Sequence, residues 1–437
     1  MTRSTRSTAP ASTRAFRRRV SVLGALALAG LTGVVAGAPS TSSAALPTAA
    51  VAMGDSFISG EGAGAYRAVP NAAGVPQGDP GFSAANSNAF FCHRSANASI
   101  EVANLSGIST RFNLACSGGQ PHDMANPSSA RASGRDVASQ IDQLRAVAQT
   151  HDIDLVLIGL GSNNSSFTFG SAAAECAGRF ISDAWIGWWE FWVPLASWWE
   201  GEPVPSEDPC TDNDLATSAE LAAATDETAA AVAQILAVLD EVDADGQHRV
   251  VLQDYTNPLP HDFDDKFYKE KRRTDTRDKF RALGAERYAG GCPAHRASLA
   301  PAHRFSANLG TMVEDVFGRM TTQFPGDDLA YLNVQQAFDG ARLCEQSNSP
   351  SGTLATPVRV TNSSGAYITS ISGYDKNDIN RLFADCESFF QRCQESWHPN
   401  AAGHAALGQC LAGAWATTDD RVTCARQSNG AILVTSS

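Results

Sequence analysis

The run Leu155-Val156-Leu157-Ile158-Gly159-Leu160 constrains this chain more than any other stretch. It offers no polar position to water and is short for a buried helix, so it reads as a strand covered on both faces. A strand of that kind belongs in a parallel sheet with helices on either side. A helical pattern precedes it, with Val137, Ile141, Leu144 and Ala148 on one face and Asp136 placed to cap the start. The same alternation recurs. Val232, Ile235, Leu236 and Leu239 share a helical face ahead of Arg249-Val250-Val251-Leu252. Phe305, Leu309, Met312 and Val316 do so ahead of Ala330-Tyr331-Leu332-Asn333-Val334. A last helix is expected from about Ala401, with Leu407, Leu411 and Trp415 inward. Repeated units of this type predict an α/β fold, a three-layer α/β/α sandwich around a central, mostly parallel sheet.

Ligands of such sheets collect at the carboxyl ends of the strands. Three segments stand at such ends. Ala49-Ala50-Val51-Ala52-Met53 has strand character and breaks at Gly54, delivering Ser56 at the turn. A strand ending near Leu114-Ala115 precedes Ser117-Gly118-Gly119, and Leu160 precedes Gly161-Ser162-Asn163-Asn164. Far away, His398 lies on a loop ahead of Pro399-Asn400 and a new helical pattern. Each block alone has an ordinary reading: Gly54-Asp55-Ser56 as a capped strand-to-helix turn, the Asn163 segment as a turn, His398 as a loop residue.

Together, the order Ser56, Gly118, Asn163, His398 resembles the SGNH (GDSL-type) hydrolase superfamily, and within it the secreted actinobacterial esterase and lipase branch. The four blocks span most of the chain beyond its N-terminus. The resemblance implies a flavodoxin-like sandwich with loop insertions and a serine ester hydrolase. Ser56 would be the nucleophile and His398 its base, because a serine hydroxyl needs an imidazole within about 2.6 to 3.2 Å to take its proton. The backbone N–H groups of Ser56 and Gly118 and the side-chain amide of Asn163 would receive the oxyanion. Glycine at 118 lets a substrate approach the backbone. Family members often carry Asp three residues before the histidine, where this chain has Glu395. Either Glu395 or a backbone carbonyl near it would orient the ring, and the right tautomer depends on that contact. The third block ends in Asn164 where Asp is common. His404, within the expected helix, reads as a packing or surface residue.

A formal charge of −13 disfavours nucleic acid or an anionic membrane as a partner held by charge. The chain carries no Gly-x-x-x-x-Gly-Lys, His-Glu-x-x-His, Cys-x-x-Cys or Gly-x-Ser-x-Gly, so nucleotide, zinc and α/β-hydrolase-elbow readings lack a motif. No metal or organic cofactor is expected. Arg14, Arg17, Arg18 and Arg19 precede an apolar run from Val20 to about Ala38, and small residues follow. This is the layout of a secretory signal peptide over about residues 1–44, with a membrane anchor as the rival reading. Residues 45–437 then form a single hydrolase domain with insertions near 165–211, 256–300 and 340–395. Ten cysteines agree with export to an oxidising exterior. The family resemblance implies Cys92 with Cys116 and Cys176 with Cys210. The pairing of Cys292, Cys344, Cys386, Cys393, Cys410 and Cys424 stays open.

Trp185, Trp188, Trp189 and Trp192 repeat at helical spacing between Cys176 and Cys210. They read either as a packed core helix or as a disulfide-bounded lip that binds acyl chains or touches a lipid surface. Lipid or fatty-acyl esters are therefore the expected substrates of a secreted monomer. A carbohydrate or cell-wall acetyl esterase is the enzymatic alternative. A binding protein that keeps the fold without turnover is the other, with Glu395 as its sign.

Overall fold

Seven strands form one sheet in the order β2-β1-β5-β6-β7-β8-β9. They are β1 (Thr48–Gly54), β2 (Thr110–Asn113), β5 (Asp152–Gly159), β6 (Arg249–Gln253), β7 (Asp328–Gln336), β8 (Arg421–Arg426) and β9 (Ile432–Ser436). A separate antiparallel pair joins β3 (Ser128–Ser129) to β4 (Asp136–Val137). The computed structural model describes residues 45–67, 92–126, 128–129, 136–169, 172, 209–242, 247–261, 296–343, 345 and 397–436. All of these elements lie in the unit Leu46–Ser437.

Every pairing in the large sheet is parallel except β8 with β9. The expected mostly parallel α/β sandwich is what the chain forms. Helices are α1 (Ser56–Ser59), α2 (Ser99–Val102), α3 (Gln140–Ala148), α4 (Ser218–Val242), α5 (Arg296–Gln323) and α6 (Ala401–Trp415). α3 packs on α4 and α4 on α5, while α2 packs on α6, which leaves the sheet as the middle of three layers. The central strands are buried on both faces, as their unbroken apolar runs require: Ala49 to Met53 and Leu155 to Ile158 are at most 1% exposed.

Local signals account for most boundaries. Val232, Ile235, Leu236 and Leu239 of α4 are fully buried, as are Leu309 and Val316 of α5 and Leu407 and Leu411 of α6. One expectation needs correction. Helix α3 starts at Gln140, because Ser139 caps it by accepting the Asp142 N–H, while Asp136 and Val137 are drawn into the pair with Ser128 and Ser129. Trp415 packs inward against the core as expected, partly buried, and donates its indole N–H to the Ser106 carbonyl at 3.0 Å. The C-terminal hairpin β8–β9 was not foreseen. It closes through Asn429 and Gly430 at φ +86°, with the Asn429 side chain accepting the Ala431 N–H.

Two disulfides join described residues. Cys92–Cys116 is the pair the resemblance implied, and Cys410–Cys424 ties α6 to β8. Cys210 is also disulfide-bonded, whereas Cys176, Cys292, Cys344, Cys386 and Cys393 lie outside the described residues. So do the N-terminal segment, the tryptophan cluster, Glu395 and most of the expected insertions. The disulfides fit an oxidising compartment.

A buried carboxyl makes the sheet pH-sensitive. Asp254, just after β6, accepts the Val334 N–H at 2.6 Å and the Tyr331 hydroxyl at 2.8 Å. Burial outweighs these bonds and pushes its pKa from 3.8 up to about 7. The folded state thus holds a proton that the unfolded chain releases, so stability falls as pH rises from about 4 to 7 and is level above that. Asp254→Asn mimics the protonated form. It is expected to raise the melting temperature at pH 8, by up to roughly 4 kcal/mol of stability, and to leave it unchanged near pH 4. Thermal melts of both proteins at the two pH values check this; equal shifts at both would refute it.

Candidate active site

Strand order places the site. From β1 the chain goes to β2 on one side and later to β5 on the other, and this reversal opens a crevice at the carboxyl ends of β1 and β5. Ser56 follows β1, Gly118 follows β2 and Asn163 follows β5.

The turn after β1 is built around two constraints. Gly54 has φ +138°, and a Cβ there would lie 1.9 Å from the Gly159 carbonyl oxygen across the β1–β5 pair. Only glycine permits that backbone path. The Gln140 side-chain oxygen accepts the Gly54 N–H and its amide donates to the Gly54 carbonyl, both at 2.8 Å. Asp55 then caps α1 by accepting the Phe57 N–H. Its other carboxylate oxygen accepts the Ser162 and Tyr255 hydroxyls, each at 2.6 Å. Asp55 therefore ties the Ser56 turn to the loop after β5 and to the end of β6. Burial raises its pKa despite these three donors and the nearby His398.

His398 is 342 residues from Ser56, yet its Nε2 lies 2.8 Å from the Ser56 Oγ. Both side chains are buried, at 7% and 8% exposure, which keeps bulk water from competing for the contact. The loop that carries His398 is fixed from both sides. Trp397 adopts φ +72°, a left-handed conformation that costs a non-glycine residue about 1 to 2 kcal/mol. Asn400 caps α6 by accepting the Gly403 N–H at 3.0 Å. Phe169 meets the imidazole edge to face, with ring centres 5.8 Å apart.

The three expected oxyanion donors lie on the segments that follow β1, β2 and β5. Ser56 occupies the first position of α1, where a backbone N–H has no partner inside the helix. Gly118 has φ +69° and open space where a Cβ would stand, so its backbone can be approached closely. Gly119 beside it is pressed against Gly54, whose carbonyl oxygen would be 2.9 Å from a Cβ; this brings the second block onto the first. Asn163 sits in a short hairpin held by the Phe169 N–H to the Ser162 carbonyl and the Asn164 N–H to the Phe167 carbonyl. Asn164 is part of that hairpin: its side-chain oxygen accepts the Ser166 and Phe167 N–H groups, a capping role that Asp could also fill.

His404 is fully buried in α6, and burial lowers its pKa to about 3, in keeping with a packing role. Sequence reasoning missed Gln140, Tyr255 and Ser162, the residues that fix the Ser56 turn. Nothing local marks them, since each acts on a segment at least 86 residues away. Beside His398, Phe169, Ala172, Leu215, Phe305 and Trp397 line a narrow apolar cleft. Among the described residues no cluster of His, Cys, Asp and Glu could hold a metal ion.

No family model matches the chain, and no curated protein matches it either. Among solved structures, a mutant of Axe2, an acetyl-xylooligosaccharide esterase from Geobacillus, aligns over 84% of this chain and 93% of its own. Sequence identity is 12% and the TM-score is 0.27, a likeness too slight to bear on the site.

Proposed function

We propose that this protein is a serine-dependent carboxylic ester hydrolase of SGNH type, with Ser56 as nucleophile and His398 as general base. The 2.8 Å approach of the Ser56 Oγ to the His398 Nε2 is the observation that carries this reading. With the ring proton on Nδ1, Nε2 accepts the hydroxyl proton as Oγ attacks the ester carbonyl. The N–H groups of Ser56 and Gly118 and the Asn163 amide receive the negative oxygen. The imidazolium returns its proton to the leaving alcohol, and the acyl-enzyme is hydrolysed by the same steps with water as nucleophile.

The substrate reading is an ester with an apolar acyl chain, met by the secreted, monomeric protein at a lipid surface. The sequence's tryptophan cluster supports it. Hydrolysis of p-nitrophenyl esters from acetyl to palmitoyl tests it, with kcat/KM expected to rise from two carbons toward medium or long chains. Activity confined to acetyl esters would favour a carbohydrate acetyl esterase. No hydrolysis and no labelling by a fluorophosphonate would leave a binding protein on this fold.

A further inference from the structure

Glu61 stands between the two halves of the site. Its backbone N–H donates to the Ser56 carbonyl at 3.2 Å, so it belongs to the turn that presents Ser56. Its carboxylate reaches the other way, accepting the Ser117 hydroxyl at 2.5 Å and lying 3.0 Å from the His93 Nδ1. Ser117 immediately precedes Gly118. The group is sealed: Glu61 and His93 are 1% exposed and Ser117 is 6% exposed. Burial opposes ionisation of Glu61, but His93, His398 and the hydrogen bonds from His93 and Ser117 outweigh it and hold the carboxyl below its ordinary value.

The surrounding loop is stapled as well. Cys92 is bonded to Cys116, the Ser117 N–H donates to the Cys92 carbonyl at 3.1 Å, and Arg94 donates to the Leu114 and Ala115 carbonyls. Asp55, the other buried carboxyl of this turn, has its pKa raised by burial, whereas the Glu61 carboxyl is held low.

We propose that Glu61 is a positioning residue: held to the Ser56 turn by its backbone and to Ser117 by its carboxylate, it fixes the Gly118 N–H relative to the Ser56 Oγ. It rests on the functional reading above, since the Gly118 N–H bears on turnover only if an oxyanion forms beside it. It adds a carboxylate placed five residues after the nucleophile.

Two substitutions test this. E61Q keeps the volume and removes the charge that grips the Ser117 hydroxyl. Its kcat per fluorophosphonate-labelled site is expected to fall about tenfold with KM changed little, because the loss is confined to the transition state. S117A keeps the carboxylate and loses the anchor, so kcat should fall about tenfold in the same way. A merely structural role for Glu61 would lower melting temperature and active fraction while kcat per labelled site stayed at the wild-type value. Should E61Q fail to fold, E61D serves: it retains the charge but is too short to hold Ser117, so it should behave like S117A. An E61Q or E61D protein with wild-type kcat per labelled site overturns the inference. Fluorophosphonate labelling separates the two failures. Wild-type protein that takes up no label overturns the reading of the site and this inference with it. Labelled wild type matched by an equally fast E61Q overturns this inference alone.

Discussion

Ser56→Ala, His398→Ala and the double variant are expected to lose ester turnover by the same factor, about 10⁴ to 10⁶ in kcat. In the proposed mechanism the two side chains do one job: from 2.8 Å the imidazole would take the proton as the oxygen attacks, and neither group would accelerate that step without the other. Removing the second after the first therefore removes nothing further. On the same proposal, what would remain is the contribution of the N–H groups and Asn163, about 10³-fold over water. Stability should be nearly untouched in Ser56→Ala, because α1 keeps its Asp55 cap and the lost hydroxyl has His398 as its side-chain partner. Steady-state kinetics on a p-nitrophenyl ester, with thermal melts as control, check both statements. Losses that multiply in the double variant would show two residues acting independently and would sink the proposed pair.

Gly54→Ala should have the largest effect on the fold. The added Cβ would lie 1.9 Å from the Gly159 oxygen and 2.8 Å from its carbon, both backbone atoms in the middle of the sheet. No side chain can turn aside to make room, and φ +138° is strained for alanine in any case. Relief requires parting β1 from β5, the two strands that frame the crevice. A loss on the order of 5 kcal/mol follows, a large share of the roughly 5 to 15 kcal/mol that holds a domain together. Insoluble expression, or a melting temperature at least about 10 °C lower, is the expected result. Gly118→Ala is the contrast. Its Cβ would meet open space, so the cost is the left-handed backbone alone, about 1 to 2 kcal/mol. Comparable destabilisation in the two variants would mean that the contact with Gly159 is not what requires glycine at 54.

The sheet and its helices were largely legible because their signals are local. An unbroken apolar run such as Leu155 to Leu160 has one stable environment, and the faces of α4, α5 and α6 repeat at the helical period. Where local signals competed, reading failed. Ser139 and Asp136 are both good caps, and the choice between them was made by a strand pair with Ser128 and Ser129 that no periodicity announces. The β8–β9 hairpin did leave a mark, an Asn-Gly turn between two runs rich in strand formers, and was overlooked.

The sequence by itself determined the fold class, the order of the four blocks and the residue types able to perform acyl transfer, since all of these follow from short-range pattern and side-chain chemistry. Only the tertiary structure decided that Ser56 and His398 touch, that Gln140 clamps Gly54, and that Glu61 joins the Ser56 turn to the Gly118 loop. Those contacts span from 56 to 342 residues of chain. The reason is physical: hydrogen bonding requires placement within fractions of an ångström, and over such separations that placement comes from strand register and the crossing of packed layers, which no short segment encodes.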